Sequence, residues 1–469
     1  GTEGHDVSLA GLHDRVSYSA GHYRFATDGF RANNDFEQEL ANAFVQYRPT
    51  YDTNLQAEVR SSRTEQGDPN IYFNRDVYSP TARLNEDADS LRLGAMHRLT
   101  PKHALLASVI YQDVLSRIDV PDKSAGEADR NDYAVDVQHI YTGGVRIESG
   151  AVAVRQSQIF VRQSFEPPPP PLPPLPSFSR EEQTNRQFGL YSYAHFDPVP
   201  SLTVTAGVSL DHLDNDLVDV DEDAFNPKLG ITWRPTPRTT VRAAAFELLL
   251  GGLSTSSSNA QPRLEPVQVS GFTQILAGAT GDQTAVRGLA VEQELSPRLF
   301  LGWQADTRAT DRFAGNTITL FTEERVQRAY LYWLPASEIS VTARFEHGRY
   351  SSGPVPFLGY SHMTTDQLPV EVRYFGRGGF TIGARTTLVQ QGGEFQTSLE
   401  SPRPMAYGED DFFLLDAFVG YRLPNRRGLL SLTADNLLDE AFQYQDVEPN
   451  KPSLFPERVI SFRFTLAFE

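Results

Sequence analysis

The chain has 469 residues, no cysteine, and 42 basic against 60 acidic side chains, for a formal net charge of −18. The missing thiols exclude a disulfide framework and any thiolate metal site. The acidic balance argues against nucleic acid as a partner, because phosphate contacts need a basic surface. No apolar run approaches the roughly 18 residues of a membrane-crossing helix. Gly1 follows neither an initiator Met nor a signal peptide, so the chain is expected to begin inside a longer precursor.

In chain order, the dominant signal is alternation with period two, the mark of a strand with one apolar and one polar face. "LTVTAGVSLD" sets Leu202, Val204, Ala206, Val208 and Leu210 against Thr203, Thr205, Gly207, Ser209 and Asp211. "KLGITW" opposes Leu229, Ile231 and Trp233 to Lys228, Gly230 and Thr232. "LFLGWQAD" opposes Leu301, Trp303 and Ala305 to Gly302, Gln304 and Asp306. "LLSLTAD" places Leu430, Leu432 and Ala434 opposite Ser431, Thr433 and Asp435. The chain ends on "RVISFRFTLAFE", where Ile460, Phe462, Phe464, Leu466 and Phe468 share one face. The fold class is therefore all-β.

Connections alternate in length. Short ones fall at 48–54, 99–104, 142–144, 196–201, 234–240, 295–299, 334–339, 376–380 and 423–428. Mostly longer ones fall near 27–35, 68–87, 117–131, 164–184, 216–224, 251–283, 310–316, 351–366, 392–409 and 438–456. That asymmetry, on strands long enough for a tilted crossing, predicts a transmembrane antiparallel up-and-down β-barrel of about 20 strands, with 22 possible. The whole of 1–469 reads as one outer-membrane barrel domain with short periplasmic turns and long extracellular loops. Tyr47, Trp233, Trp333 and Tyr421 precede short turns and form a candidate aromatic girdle. The five apolar residues of the last strand are expected to face lipid. A propeller would need repeats of about 40–50 residues, and none is visible.

Site chemistry is sparse. Asp219, Asp221 and Asp223 have calcium-loop spacing, but Ala224 replaces the required Gly and Gly230 the bidentate Glu, so an acidic outer loop is the plainer reading. "GRGGF" (376–380) has no helix after it and reads as a hairpin turn. Neither His-Glu-x-x-His nor Gly-x-Ser-x-Gly occurs. The chain is read as a non-enzyme with no cofactor. "EPPPPPLPPLPSFSREEQ" (166–183) should be a stiff polyproline loop rather than strand. The longest loop, 252–282, could be an ordinary outer loop or a segment folded into the lumen as a constriction.

Three stretches carry a resemblance: "AFNPKLGITWRPTPRTTVRAAAFE" (224–247), "LEPVQVSGFTQ" (264–274) and "LTADNLLDEAFQYQD" (432–446) before the Phe-rich last strand. They resemble the C-terminal barrel of TonB-dependent receptors. The resemblance implies a barrel that normally has 22 strands and holds a separate plug domain, and "GTEGHDVSL" is too short to be a remnant of that plug. Three functions remain open. The chain could be a receptor-like transport channel whose plug or periplasmic domain lies upstream. It could be an export conduit for a polymer or polypeptide. It could also be a structural sleeve for a partner such as an electron carrier or surface filament. Expected partners are outer-membrane lipid, lipopolysaccharide and whatever fills the lumen, in a Gram-negative type of cell.

Overall fold

The computed structural model describes every residue except 122, 167–174, 217–219, 252–262, 277, 315–317, 354–357, 401–402, 449–452 and 469. The first strands are β1 (Thr2–His13), β2 (Val16–Thr27), β3 (Phe36–Thr50), β4 (Thr53–Gln66), β5 (Arg83–Thr100) and β6 (His103–Val120). There follow β7 (Ser124–Thr142), β8 (Arg146–Glu166), β9 (Leu175–Val199), β10 (Leu202–Asn215), β11 (Val220–Thr236) and β12 (Thr239–Leu249). Two short strands, β13 (Gln268–Val269) and β14 (Phe272–Thr273), pair only with each other. The remainder are β15 (Gln283–Ser296), β16 (Leu299–Ala314), β17 (Ile318–Ala336), β18 (Ile339–Ser352) and β19 (Tyr360–Phe375). The chain closes with β20 (Phe380–Gln396), β21 (Met405–Arg422), β22 (Gly428–Asp435) and β23 (Val459–Leu466).

All but β13 and β14 join one antiparallel sheet of 21 strands, each hydrogen-bonded to its neighbours in sequence. The architecture is the expected up-and-down arrangement, with one strand more than the sequence suggested. The extra strand comes from a two-residue turn, Asp14-Arg15, which splits the first segment into β1 and β2 along a ladder from Thr2↔Thr27 to His13↔Val16. Asp14 holds φ at 51°, a left-handed conformation that Asp tolerates better than most residues.

The connections sort by rim as predicted. On one rim all are two to five residues long, whereas the other carries the 67–82, 250–282 and 436–458 loops. Several of the expected loops are narrower than read. Ladders continue to Val120↔Ser124, Glu166↔Leu175 and Asn215↔Val220, so much of 117–131, 164–184 and 216–224 is strand. Asp221 and Asp223 thus lie on β11 rather than in a loop. Pro176 stands in β9 opposite Phe165, while the polyproline reading of 167–174 lies outside the described residues. The period-two rule missed these extensions because both faces turn polar there. Pairs such as Arg117–Glu127 at 2.9 Å and Arg186–Asp214 at 2.9 Å carry the ladder onward.

The polarity of the wall is reversed relative to a water-soluble sheet. On β11, Phe225, Leu229 and Trp233 are 65%, 52% and 46% exposed, whereas Asn226 and Lys228 between them are 5% and 4% exposed. Register carries this pattern from strand to strand, as in Leu190↔Leu210↔Phe225. The buried side chains lie on the inward face, where loops of the long rim fold back over it. Among the described residues no ladder joins β1 to β23, the two edges of the sheet. An odd number of alternating strands makes these two edges run in the same direction.

The turn at Asp14 is testable. Asp14→Val forces a β-branched residue into the left-handed region at a cost of about 1–2 kcal/mol, whereas Asp14→Gly relieves it. Limited proteolysis should show the β1–β2 hairpin nicked faster in the Val variant only. Identical rates in both variants would refute this account of the turn.

Candidate functional site: the lumen wall and its inward-folded loops

Two loops of the long rim settle onto the inward face, at separate places on the wall. The first is the longest loop, which leaves β12 at Leu249 and re-enters the sheet at Gln283. Its roots are clamped together by Leu250 N–H to Asp282 O at 2.7 Å and Gly281 N–H to Leu250 O at 2.8 Å. Arg312 grips the buried Asp282 carboxylate with Nε at 2.9 Å and Nη2 at 2.6 Å. The described part of this loop, 263–276 and 278–282, folds back against the covered face of the sheet.

Further along, polar groups of the wall hold the loop's backbone. Asp136 accepts from Leu264 N–H at 2.6 Å, and Gln138 donates to Leu264 O at 2.7 Å. The Tyr193 hydroxyl donates to Glu265 at 2.5 Å, and Lys228 Nζ lies 3.9 Å from the same carboxylate. Lys228 also donates to Glu247 O at 2.9 Å. A buried ammonium with both partners keeps its charge compensated, which burial without them would not allow.

The β13–β14 hairpin turns at Ser270-Gly271, both with positive φ (47° and 86°), the geometry of a tight two-residue turn. It lays Val269 and Phe272, 0% and 3% exposed, on the wall. The wall there is a row of the smallest residues: Gly230 pairs with Ala244, and Ala244 with Gly288, with Ala290 beside them. A Cβ at Gly288 would clash with the edge of the Phe272 ring, 2.6 Å from Cζ, and one at Gly230 would stand 2.7 Å from Val269 Cγ1. Both glycines are therefore contact surfaces for the hairpin. Arg242 caps the Phe272 ring at 5.7 Å while bonding Glu292 at 2.8 Å.

The second insert is the 436–458 loop against β19–β21. Phe442 stacks on Phe412 with centroids 4.2 Å apart, and Gln367 donates to the Tyr444 hydroxyl at 2.5 Å. Gln391 and Gln445, both 0% exposed, bond reciprocally: Gln445 N–H to Gln391 Oε1 at 2.7 Å, and Gln391 Nε2 to Gln445 O at 2.9 Å. Burial pushes the Asp446 carboxyl above the ordinary range, opposed by bonds from Ser453 N–H and Oγ, each 2.8 Å. Onto this insert comes the 67–82 loop from the other end of the sheet. Phe73 N–H donates to Gln445 Oε1 at 3.0 Å, and its ring stacks on Phe395 at 4.0 Å. Asn33 and Arg31, in the 28–35 loop, bind the carbonyls of Ala82 and Asn70 at 2.9 and 2.6 Å. Loops thus tie the two ends of the sheet together above the gap between β1 and β23.

Elsewhere the wall carries both a small apolar cluster, Ile110, Ala134, Val152 and Val154, and linked charge pairs. Arg328 bridges Asp306 at 3.0 Å and Glu346 at 2.9 Å, and Arg308 lies 3.6 Å from both Asp306 and Glu324.

Of the site residues expected from sequence, Tyr47, Trp233, Trp333 and Tyr421 each lie close to a short turn, opposite Val16, Leu202, Leu299 and Phe380. Ile460, Phe462, Phe464 and Leu466 lie exposed on β23, and Phe468 is exposed just beyond it. Asp219 lies outside the described residues. Asp221 and Asp223 are exposed, and both face His212, with Nδ1 at 3.8 and 3.0 Å. Among the described residues, no group of three or more His, Asp or Glu is placed to hold a metal. Sequence reading missed the Gly230–Ala244–Gly288 row, although isolated glycines inside strands were the available signal. Nothing local marked the Gln391–Gln445 pair.

Residues 13–273 match a family model described as TonB dependent receptor-like, beta-barrel. No curated protein matches the chain by sequence. Several solved structures share the fold. The pyoverdine outer membrane receptor FpvA from Pseudomonas aeruginosa PAO1 superposes with TM-score 0.73 at 12% identity, covering 100% of this chain and 77% of that one. The FrpB iron transporter from Neisseria meningitidis gives 0.73 at 11%, with 99% and 79% covered. The copper transporter OprC gives 0.72 at 11%, with 100% and 81% covered. At such identities the likeness speaks for the fold alone.

The latch between loops makes a prediction. Gln445→Ala leaves the Phe73 N–H unpaired in a buried place, at about 1–3 kcal/mol, while Gln391 keeps its bonds to the main chain of residue 445. Protease should then cut within 67–82 while the barrel keeps its folded electrophoretic mobility. A 67–82 loop as resistant as in the parent would show that the latch does not depend on Gln445.

Proposed function

The chain belongs to the TonB-dependent receptor-like β-barrel family, and from that premise we propose that it is the barrel of an outer-membrane transporter of receptor type. Its lumen would be filled or gated by a further domain. The observation that carries this reading is the reversed polarity of the wall, carried in register between strands such as β9, β10 and β11. Apolar residues on the exposed face and charged ones on the covered face suit a wall between lipid and a wet lumen. In this reading Ile460, Phe462, Phe464, Leu466 and Phe468 meet acyl chains. Tyr47, Trp233, Trp333 and Tyr421 then form the periplasmic girdle, and the long loops meet lipopolysaccharide and the outside. The structural relatives include a receptor bound to pyoverdine and transporters of iron and copper, and passage of a scarce solute fits this wall.

The gap between β1 and β23 supports the further domain. β1 has 12 residues and β23 has 8, and about half of their peptide groups point into the gap. Unpaired in hydrocarbon, such groups are costly, so the two edges favour a strand that pairs with both. Because the two edges run the same way, one strand antiparallel to both would satisfy them. Such a strand rises from the short-turn rim to the long-loop rim, where Gly1 lies beside Thr27 and Asp28.

Two measurements test the proposal. Leu229→Arg places a cation on the lipid face well inside the apolar band and should cost roughly 2–4 kcal/mol, blocking assembly. Thr433→Arg, on the lumenal face, should assemble normally; equal outcomes would reject the assignment of faces. In planar bilayers the chain should give a large conductance favouring cations, as its −18 charge implies. Restoring the upstream domain should lower it. A silent bilayer with insertion confirmed would rule out a separate gating domain.

A further inference from the structure

We infer that the Leu264–Ile275 hairpin is a fixed constriction of the lumen, seated in a socket built into the wall, and that it narrows the path of whatever solute crosses. The inference rests on the barrel reading above and adds to it an element that sets the size of the passage.

Three independent features support it. The socket is shaped for the hairpin, since the side chains that would occupy its space are absent at Gly230 and Gly288 and minimal at Ala244 and Ala290. Anchors hold the hairpin along its length: Asp136 and Gln138 at Leu264, Tyr193 at Glu265 and at Gln274, and Arg242 over Phe272. The descent is deep. Gly230 lies between Leu229 and Ile231, well inside the outward apolar run of β11, and six residues before Thr236 at the short-turn end. At about 3.3 Å per residue the tip hangs roughly 20 Å along the tilted strand from that rim. A loop at this depth occupies cross-section that the solute path would otherwise have. Its free side presents Val267 and Ile275, 51% and 47% exposed, together with Gln268. The solute path would therefore be bordered there by an apolar ridge instead of the charged wall.

The chain contains no cysteine, so single thiols can report on the hairpin without background. In outer-membrane vesicles, a charged, membrane-impermeant thiol reagent should label Gln268→Cys readily. Val269→Cys, seated against the wall, should react at least about 100-fold more slowly, because reaction must await local opening. Gly288→Val should expel the Phe272 ring, making Val269→Cys as reactive as Gln268→Cys. In bilayers, Gly288→Val and removal of 264–275 should each raise the conductance of the chain about twofold or more. Equal labelling of Gln268→Cys and Val269→Cys in the parent would show that the hairpin is not fixed. Unchanged conductance in both variants would show that it is not the narrowing. Where a variant does not fold, the labelling ratio in the parent decides alone. Loss of the folded barrel's electrophoretic mobility in the parent would instead sink the transporter reading, so the two failures are distinguishable.

Discussion

Every feature of this molecule depends on one requirement: backbone N–H and C=O groups that face hydrocarbon must be paired within the protein. A sheet meets it only through ladders between neighbours, and ladders fix register. With a side-chain period of two, register in turn fixes which residues point outward. A one-residue slip of β11 would carry Asn226 and Lys228 to the outer face and bring Leu229 into the lumen. The alternation that recurs along the sequence is therefore the trace of a single constraint applied strand after strand.

A wall one sheet thick has no core of its own, so the inward loops need other means of attachment. Burying Val269 and Phe272 yields about 1.5–3 kcal/mol each. Ordering twelve backbone residues costs about 1–2 kcal/mol apiece. Apolar contact alone cannot hold the hairpin. This explains the density of polar anchors on that stretch of wall, and why the root is clamped by Arg312 on Asp282. It also explains the small-residue row, because removing side chains from the wall lets the hairpin approach closely enough for those bonds to form. The 436–458 insert solves the same problem with stacked aromatic rings and a reciprocal glutamine pair.

Legibility followed the same physics. Where a strand crosses the apolar band, as at 202–211 or 228–233, alternation identified the strand and its faces correctly. Above the band both faces are wet, alternation ends, and the ladder continues on charge pairs such as Arg117–Glu127, so loop boundaries were drawn too wide. The Asp14-Arg15 turn escaped notice because it has neither Gly nor Pro, and its left-handed residue is an Asp indistinguishable from any other. The lumenal hairpin was legible in part. The sequence left 252–282 as either an outer loop or a segment folded into the lumen, because the socket comes from β11, β12 and β15. Contacts across such separations, like Phe73 with Gln445, leave no local signal.

The latch above the β1–β23 gap follows the same arithmetic. Its contacts comprise a few hydrogen bonds, each worth about 0.5–1.5 kcal/mol net, and the stacked pair Phe73–Phe395. Such a set is no substitute for ladder pairing along two strand edges. The latch therefore does not replace a ladder, but it ties loops from the two ends of the sheet to each other. Since β1 and β23 run in the same direction, one strand antiparallel to both could pair with each. Loops tethered across the gap lower the entropic cost of bringing three strands into register. The inward-folded loops of the long rim then have two mechanical roles: one pair spans the gap in the wall, and the other loop narrows what the wall encloses.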